Sequence, residues 1–275
     1  AVAAPDSRVS VFDLTGAAPV RIAEIPVGLE PVSVAVNGNG EAWVVNQLSD
    51  DVSIIDLSTL HVRATLKVGD EPSDVVFAGS PLRAWVSVSQ EDAIKLYDPA
   101  NLATAPQILA IPARKPRSLS VSADGAKVYS AVFNGNHGAT VLSEAEAGDS
   151  LPTPVPALRA GVPPAPKVGL LANFPSGHWV DLSGKLWDSK IKYTVPLVEL
   201  IQMDATTRSI SRVNGDIATL MLGTSVNPVT GACAVTGTYA ELELRFEPNV
   251  RGHVTESRVA MLSTAGVRTL VGLNP

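Results

Sequence analysis

Cys233 is the only cysteine in the 275 residues. An internal disulfide is therefore impossible, and no cysteine-rich metal site can form. No run of about 18 apolar residues occurs either, so nothing in the sequence reads as a membrane-spanning helix. Basic charge is scarce: 21 Lys and Arg stand against 27 Asp and Glu, a formal net charge of −6. Binding nucleic acid needs a clustered basic surface, and this balance argues against it. The opening "AVAAPDS" has no charged segment and no long apolar stretch, so it is not an intact signal peptide. It reads equally as a mature chain after signal removal or as a trimmed one. Also missing are a nucleophile elbow, a phosphate-binding loop, a zinc motif and the haem-attachment word Cys-x-x-Cys-His.

What the sequence does contain is a rhythm. Short apolar runs recur, separated by Gly, Pro, Asn and Asp, which is how many short strands read. Pro31 opens "PVSVAV", Pro72 opens "PSDVVF" and Pro116 opens "PRSLSV", at steps of 41 and 44 residues. Trp43, Trp85 and Tyr129 follow at steps of 42 and 44, and Asp13, Asp56 and Asp98 at 43 and 42. Each period holds four strand-like runs, in the second period "PVSVAVNG", "EAWVVNQ", "VSIIDL" and "ATLKVG". A period of about 40–45 residues with four antiparallel strands is the signature of a β-propeller blade. The expected fold is therefore all-β, a propeller of four-stranded antiparallel blades with a period of about 42 residues.

The words "VGLEPVSVAVNGNGEAWVVNQLSDDVSIIDLSTL" and "VGDEPSDVVFAGSPLRAWVSVSQEDAIKLYDPANL" resemble the YVTN-type β-propeller repeat of bacterial extracytoplasmic proteins. The tetrapeptide itself is eroded to "WVVN", "WVSV", "VYSA" and "CAVT". The resemblance covers residues 7–142 well and 195–275 more loosely. It implies an extracytoplasmic setting, periplasmic, cell-surface or secreted. Some members of the family carry a C-terminal di-haem domain, but any haem would belong to sequence outside this chain. No cofactor is expected in the chain.

The rhythm runs through "GATVLSE" and then stops. Residues 149–166 hold six prolines and suit neither a central strand nor a helix. The organisation expected is blades over residues 1–148, an insertion within a blade over 149–194, and blades again over 195–275. Residues 7–28 read as two outer strands only, with complete blades starting near Glu30, Glu71, Lys115 and Ile217. The closing "VGLNP" matches "VGLEP" at 27–31, where an inner strand begins. An incomplete ring is expected, part of a longer polypeptide.

Candidate site residues are few. Glu30, Glu71 and Lys115 begin successive inner strands and are the natural place to look for a site at the channel mouth. Arg245 and Glu247 in "LRFEPN" form either a local ion pair or a carboxylate-holding site. His178 and Trp179 lie in the insertion, where Trp179 and Trp187 either pin it together or present a recognition surface. The four histidines, His61, His137, His178 and His253, share no ligand spacing. "Ser-Asp-Asp" at 49–51 and "Gln-Glu-Asp" at 90–92 occupy the same hairpin in successive blades. They are either solvated turns or oxygen ligands for Ca²⁺. Cys233 reads as a small buried thiol. The functional expectation is a non-catalytic scaffold or binding module with a protein or surface partner. The alternatives are a propeller enzyme with its site at the channel mouth, or a redox accessory to a haem domain.

Overall fold

A computed structural model describes residues 2–38, 40–135, 138–151, 159–161, 169–174, 177–181, 183–194, 197–240 and 255–274. It is nearly all β. The first sheet contains β1 (Val2–Ala3), β2 (Arg8–Asp13) and β3 (Val20–Pro26), in that order. The second contains β4 (Pro31–Asn37), β5 (Glu41–Asn46), β6 (Asp51–Asp56) and β7 (His61–Lys67). The third runs from β8 (Pro72–Ala78) through β9 (Arg83–Val88) and β10 (Ala93–Tyr97) to β11 (Gln107–Ala110). A fourth begins with β12 (Arg114–Val121) and β13 (Lys127–Asn134).

The chain then leaves for a separate three-stranded sheet, β14 (Ala139–Leu142), β15 (Leu170–Asn173) and β16 (Val180–Asp181). It returns with β17 (Leu200–Asp204) and β18 (Ser209–Asn214), which complete the fourth sheet in the order β12-β13-β17-β18. The fifth contains β19 (Leu220–Val226), β20 (Cys233–Ala240), β21 (Thr255–Leu262) and β22 (Arg268–Gly272). All assigned strand pairs are antiparallel, and apart from β13 with β17 they join strands consecutive in the chain.

Two details differ from the sequence reading. The first sheet has a third strand, β1, beside the two outer strands expected. "ATVL" does not continue the third period either. Its four residues pair with β15, and β17 takes the place beside β13. An apolar run of four residues carries no label saying which sheet will accept it.

The chain divides into two compact units. The first is Ala1–Gly135, Val198–Tyr239 and Ser257–Pro275, and the second is Asn136–Leu197 with Ala240–Glu256. In the first unit the burial pattern explains why the strands read as they do. The middle strands β5 and β6 are buried on both faces except at one end. Each is covered on two sides by neighbouring sheets, so both faces are apolar, and β-branched residues suit that pleated setting. The outer strand β7 alternates between exposed and half-buried residues.

Successive sheets pack through their first strands: β4 on β8, β8 on β12 and β12 on β19. Trp43 and Trp85 are fully buried at equivalent points in these layers. Trp43 meets Phe77 of the next sheet edge-on, with ring centroids 5.5 Å apart. Removing such a ring costs about 3–5 kcal/mol.

The periodic aspartates close the outer hairpins. Asp56 Oδ1 accepts the N–H groups of Ser58 (2.8 Å) and Thr59 (3.2 Å), and Asp204 Oδ1 those of Thr206 (2.9 Å) and Thr207 (2.7 Å). Asp13 holds Thr15 N–H (2.8 Å) and Asp98 holds Ala100 N–H (3.0 Å) in the same way. A short carboxylate bonding its own backbone two residues on is what an Asx-turn requires.

The second unit has its own core, in which Leu142, Ala147, Leu170, Ala172, Trp179, Trp187 and Ile191 are buried together. Its short helix α1 (Glu144–Ala147) opens with a capping box, Ser143 taking Glu146 N–H while the Glu146 side chain takes that of Ser143. Most of the proline-rich run, 152–158 and 162–166, lies outside the described residues. No helix among the described residues is long and apolar enough to cross a membrane.

Candidate functional site

In the first unit, each first strand of the four-stranded sheets slips register near its start. The slip falls between Pro31 and Ser33 in β4, Pro72 and Asp74 in β8, Pro116 and Leu119 in β12, and Met221 and Gly223 in β19. A bulge sets two residues against one, and so re-aims a side chain that strict alternation would bury. Here the re-aimed side chains meet. Val32 and Ser33, Ser73 and Asp74, Arg117 and Ser118, and Leu222 line one cavity of about 290 Å³, together with Gln47.

The polar groups of this cavity form a belt from sheet to sheet. Ser33 Oγ of β4 donates to Asp74 Oδ1 of β8 at 2.5 Å. Asp74 Oδ2 accepts the N–H of Leu119 in β12 (2.7 Å), and its Oδ1 also accepts that of Val75 (2.8 Å). Ser118 Oγ of β12 in turn accepts the N–H of Thr224 in β19 (3.1 Å). Behind the belt, Ser87 of β9 and Ser89 just after that strand donate to the carbonyls of Arg117 (2.6 Å) and Pro116 (2.7 Å). Burial pushes the Asp74 carboxyl above its ordinary range, while Ser33 and the N–H of Leu119 pull it back.

Arg117 is the group that this network leaves over. Its guanidinium carbon lies 4.4 Å from the centroid of Phe133, and its buried Nε has no hydrogen-bond partner. No carboxylate among the described residues forms an ion pair with it.

Glu30, Glu71 and Lys115 lie just before this cavity and do not line it. All three have left-handed backbone, with φ of 54°, 51° and 58°. The bend they make turns the chain into the inner strand. Glu71 N–H is held by Asp50 Oδ1 (3.2 Å) and Lys115 N–H by Asp92 Oδ1 (2.8 Å). The hairpin carboxylates therefore join one sheet to the start of the next. Asp51 is buried, bonded to Asn46 Nδ2 (2.7 Å) and Lys67 Nζ (3.0 Å), and Glu91 pairs with Lys95 (2.6 Å). The described residues contain no group of three or more His, Cys, Asp or Glu placed to hold a metal ion.

In the second unit Trp179 is buried. It packs on Phe174 and Tyr193 at 4.9 and 5.6 Å, and its indole N–H donates to Tyr193 O (2.9 Å). It thus presents no face to a partner. His178 is exposed, with Nδ1 2.8 Å from Asp188 Oδ2. The Trp179 N–H and then His178 hold the Asp188 carboxyl below its usual range. Arg245, Glu247, His137 and His253 lie outside the described residues. His61 is exposed against Thr59 O (2.6 Å). Cys233 is buried beside Thr224 Oγ1 (3.1 Å), and burial raises its thiol.

The sequence reading did not single out Ser33, Asp74, Arg117 or Ser118. A usable signal was present: Ser33, Asp74 and Ser118 are the third residues of "PVS", "PSD" and "PRS", polar at one repeat position in otherwise apolar strands.

Among the solved structures similar to this chain, two share its fold over nearly the whole length of the chain. One is hydrazine synthase of Kuenenia stuttgartiensis, at 17% identity and a TM-score of 0.64, covering 98% of this chain and 64% of that one. The other is a streptogramin B lyase, at 10% identity and 0.52, covering 99% and 64%. Both are β-propellers, and with the four-stranded sheets they define the fold of this chain as a β-propeller. The chain spans less than two thirds of the length of either. No known family profile matches the sequence, and no curated protein sequence matches it.

Proposed function

We propose that this chain is an extracytoplasmic binding module: a propeller that holds a small polar ligand in the cavity at its inner strands and serves a larger assembly. The observation that carries the binding role is the bulge repeated in β4, β8, β12 and β19, which turns side chains from four sheets into one cavity. Pockets with a few convergent polar groups on an otherwise apolar wall are where ligands bind. The lining supports binding over catalysis. Among the described residues its lining holds no His, Cys or Lys to move a proton or attack, and the Asp74 carboxylate is engaged by Ser33, Val75, Leu119 and Ser118. The extracytoplasmic setting and the protein or surface partner rest on the resemblance of the repeats.

A ligand screen by amide-resolved NMR tests the binding role. Ligands are expected to move the amide signals of Val75, Leu119 and Thr224, which border the cavity. Leu222→Trp, which fills the space, is expected to abolish the shifts while the fold is retained. Saturable binding that leaves those three amides unmoved would refute the assignment.

A further inference from the structure

We infer that the ligand of the inner-strand cavity is a small monocarboxylate, held by the guanidinium of Arg117; this rests on the cavity being a binding site. Arg117 stands at the bulge of β12 with its guanidinium over the Phe133 ring. Stacking on an aromatic face fixes the plane of the group and leaves its edge donors free for an oxyanion. Arg117 lines the cavity, and no described carboxylate pairs with its side chain. A guanidinium in the cavity wall with no carboxylate partner favours a guest that supplies acceptors to its donors. A carboxylate meets a guanidinium with two parallel hydrogen bonds.

Asp74 lines the same cavity but does not fill this role. Its oxygens are occupied by Ser33 Oγ, the Ser118 hydroxyl, Val75 N–H and Leu119 N–H. Its charge also limits the guest, because a second negative group on the ligand would meet it. A monoanion is therefore preferred over a phosphate dianion. At about 290 Å³ the cavity is at the low end for small-molecule sites, which sets the size. Val32 and Leu222 offer apolar walls, while Gln47 and Ser73 offer neutral polar groups. A short aliphatic or hydroxylated carboxylic acid fits this lining.

The test titrates the full chain at constant ionic strength with acetate, glycolate, inorganic phosphate and glycerol. The amides of Arg117, Ser118 and Leu119 and the Arg117 Nε–H signal are followed by NMR. Acetate or glycolate is expected to give saturable shifts, Nε–H included. Arg117→Gln is expected to weaken binding at least tenfold, and Arg117→Lys less. Should Arg117→Gln fail to fold, the Nε–H signal of the unaltered protein decides. Tighter binding of phosphate would overturn the monocarboxylate assignment. Shifts with glycerol but not with carboxylates would overturn the ligand class and leave the binding site standing. No shift with any probe would overturn both.

Discussion

Asp74→Ala tests the belt that crosses the inner strands. The substitution leaves the N–H groups of Val75 and Leu119, and the Ser33 hydroxyl, without their acceptor. Two orphaned backbone donors at about 1–3 kcal/mol each would cost roughly 2–6 kcal/mol if no water reached them. Asp74 is only half-buried, so water can replace part of what is lost. Alanine also relieves the penalty of keeping a carboxylate out of bulk water. The net loss is expected near the lower end, about 2–3 kcal/mol.

In a domain of this size that corresponds to a fall in Tm of roughly 4–12 °C. Urea unfolding followed by circular dichroism measures it as a lower midpoint at unchanged slope. Asp74→Asn keeps one carbonyl acceptor but turns an amide toward a donor, so it is expected to fall between the two. A loss for Asp74→Ala below about 0.5 kcal/mol, the range of ordinary surface changes, would show that the belt does not hold the sheets together.

Glu199 gives a pH-dependent prediction. It is buried, accepts the N–H groups of Ile217 and Ala218, and burial pushes its pKa up to about 6 despite those donors. A raised folded pKa means that its contribution is full below the unfolded value near 4.5 and is lost as pH rises through 6. The size is about 2 kcal/mol, at 1.36 kcal/mol per pKa unit. The stability difference between the unaltered protein and Glu199→Gln is expected to change by that amount between pH 4 and pH 7. A pH-independent difference would contradict the assignment. Cys233, buried and with its thiol raised, is expected to resist a thiol reagent in native protein at pH 7.5 and to react fully in urea. Rapid labelling of the native chain would contradict its burial.

The fold was legible in the sequence because its markers are each tied to a repeated physical need. Pro31 and Pro72 open inner strands, Trp43 and Trp85 fill equivalent layers, and Asp56, Asp98 and Asp204 close equivalent turns. The cavity was less legible. The repeat drew attention to the residues around the start of each inner strand, Glu30, Glu71 and Lys115. The bulge that follows cannot be read from alternation, and it is the bulge that decides which side chains face the cavity. "ATVL" was hard to place for a related reason, since it suits either sheet and only its pairing with β15 decides.

The direction of the belt has a consequence for the repeats as parts. At two junctions the backbone N–H just past the bulge of an inner strand meets a side chain from the preceding sheet: Asp74 serves Leu119, and Ser118 serves Thr224. The sheets share a shape but carry different couplings, a carboxylate at one junction and a hydroxyl at the next. Exchanging two of them would preserve every strand and leave the junctions mismatched, so their order along the chain is itself part of the encoded structure.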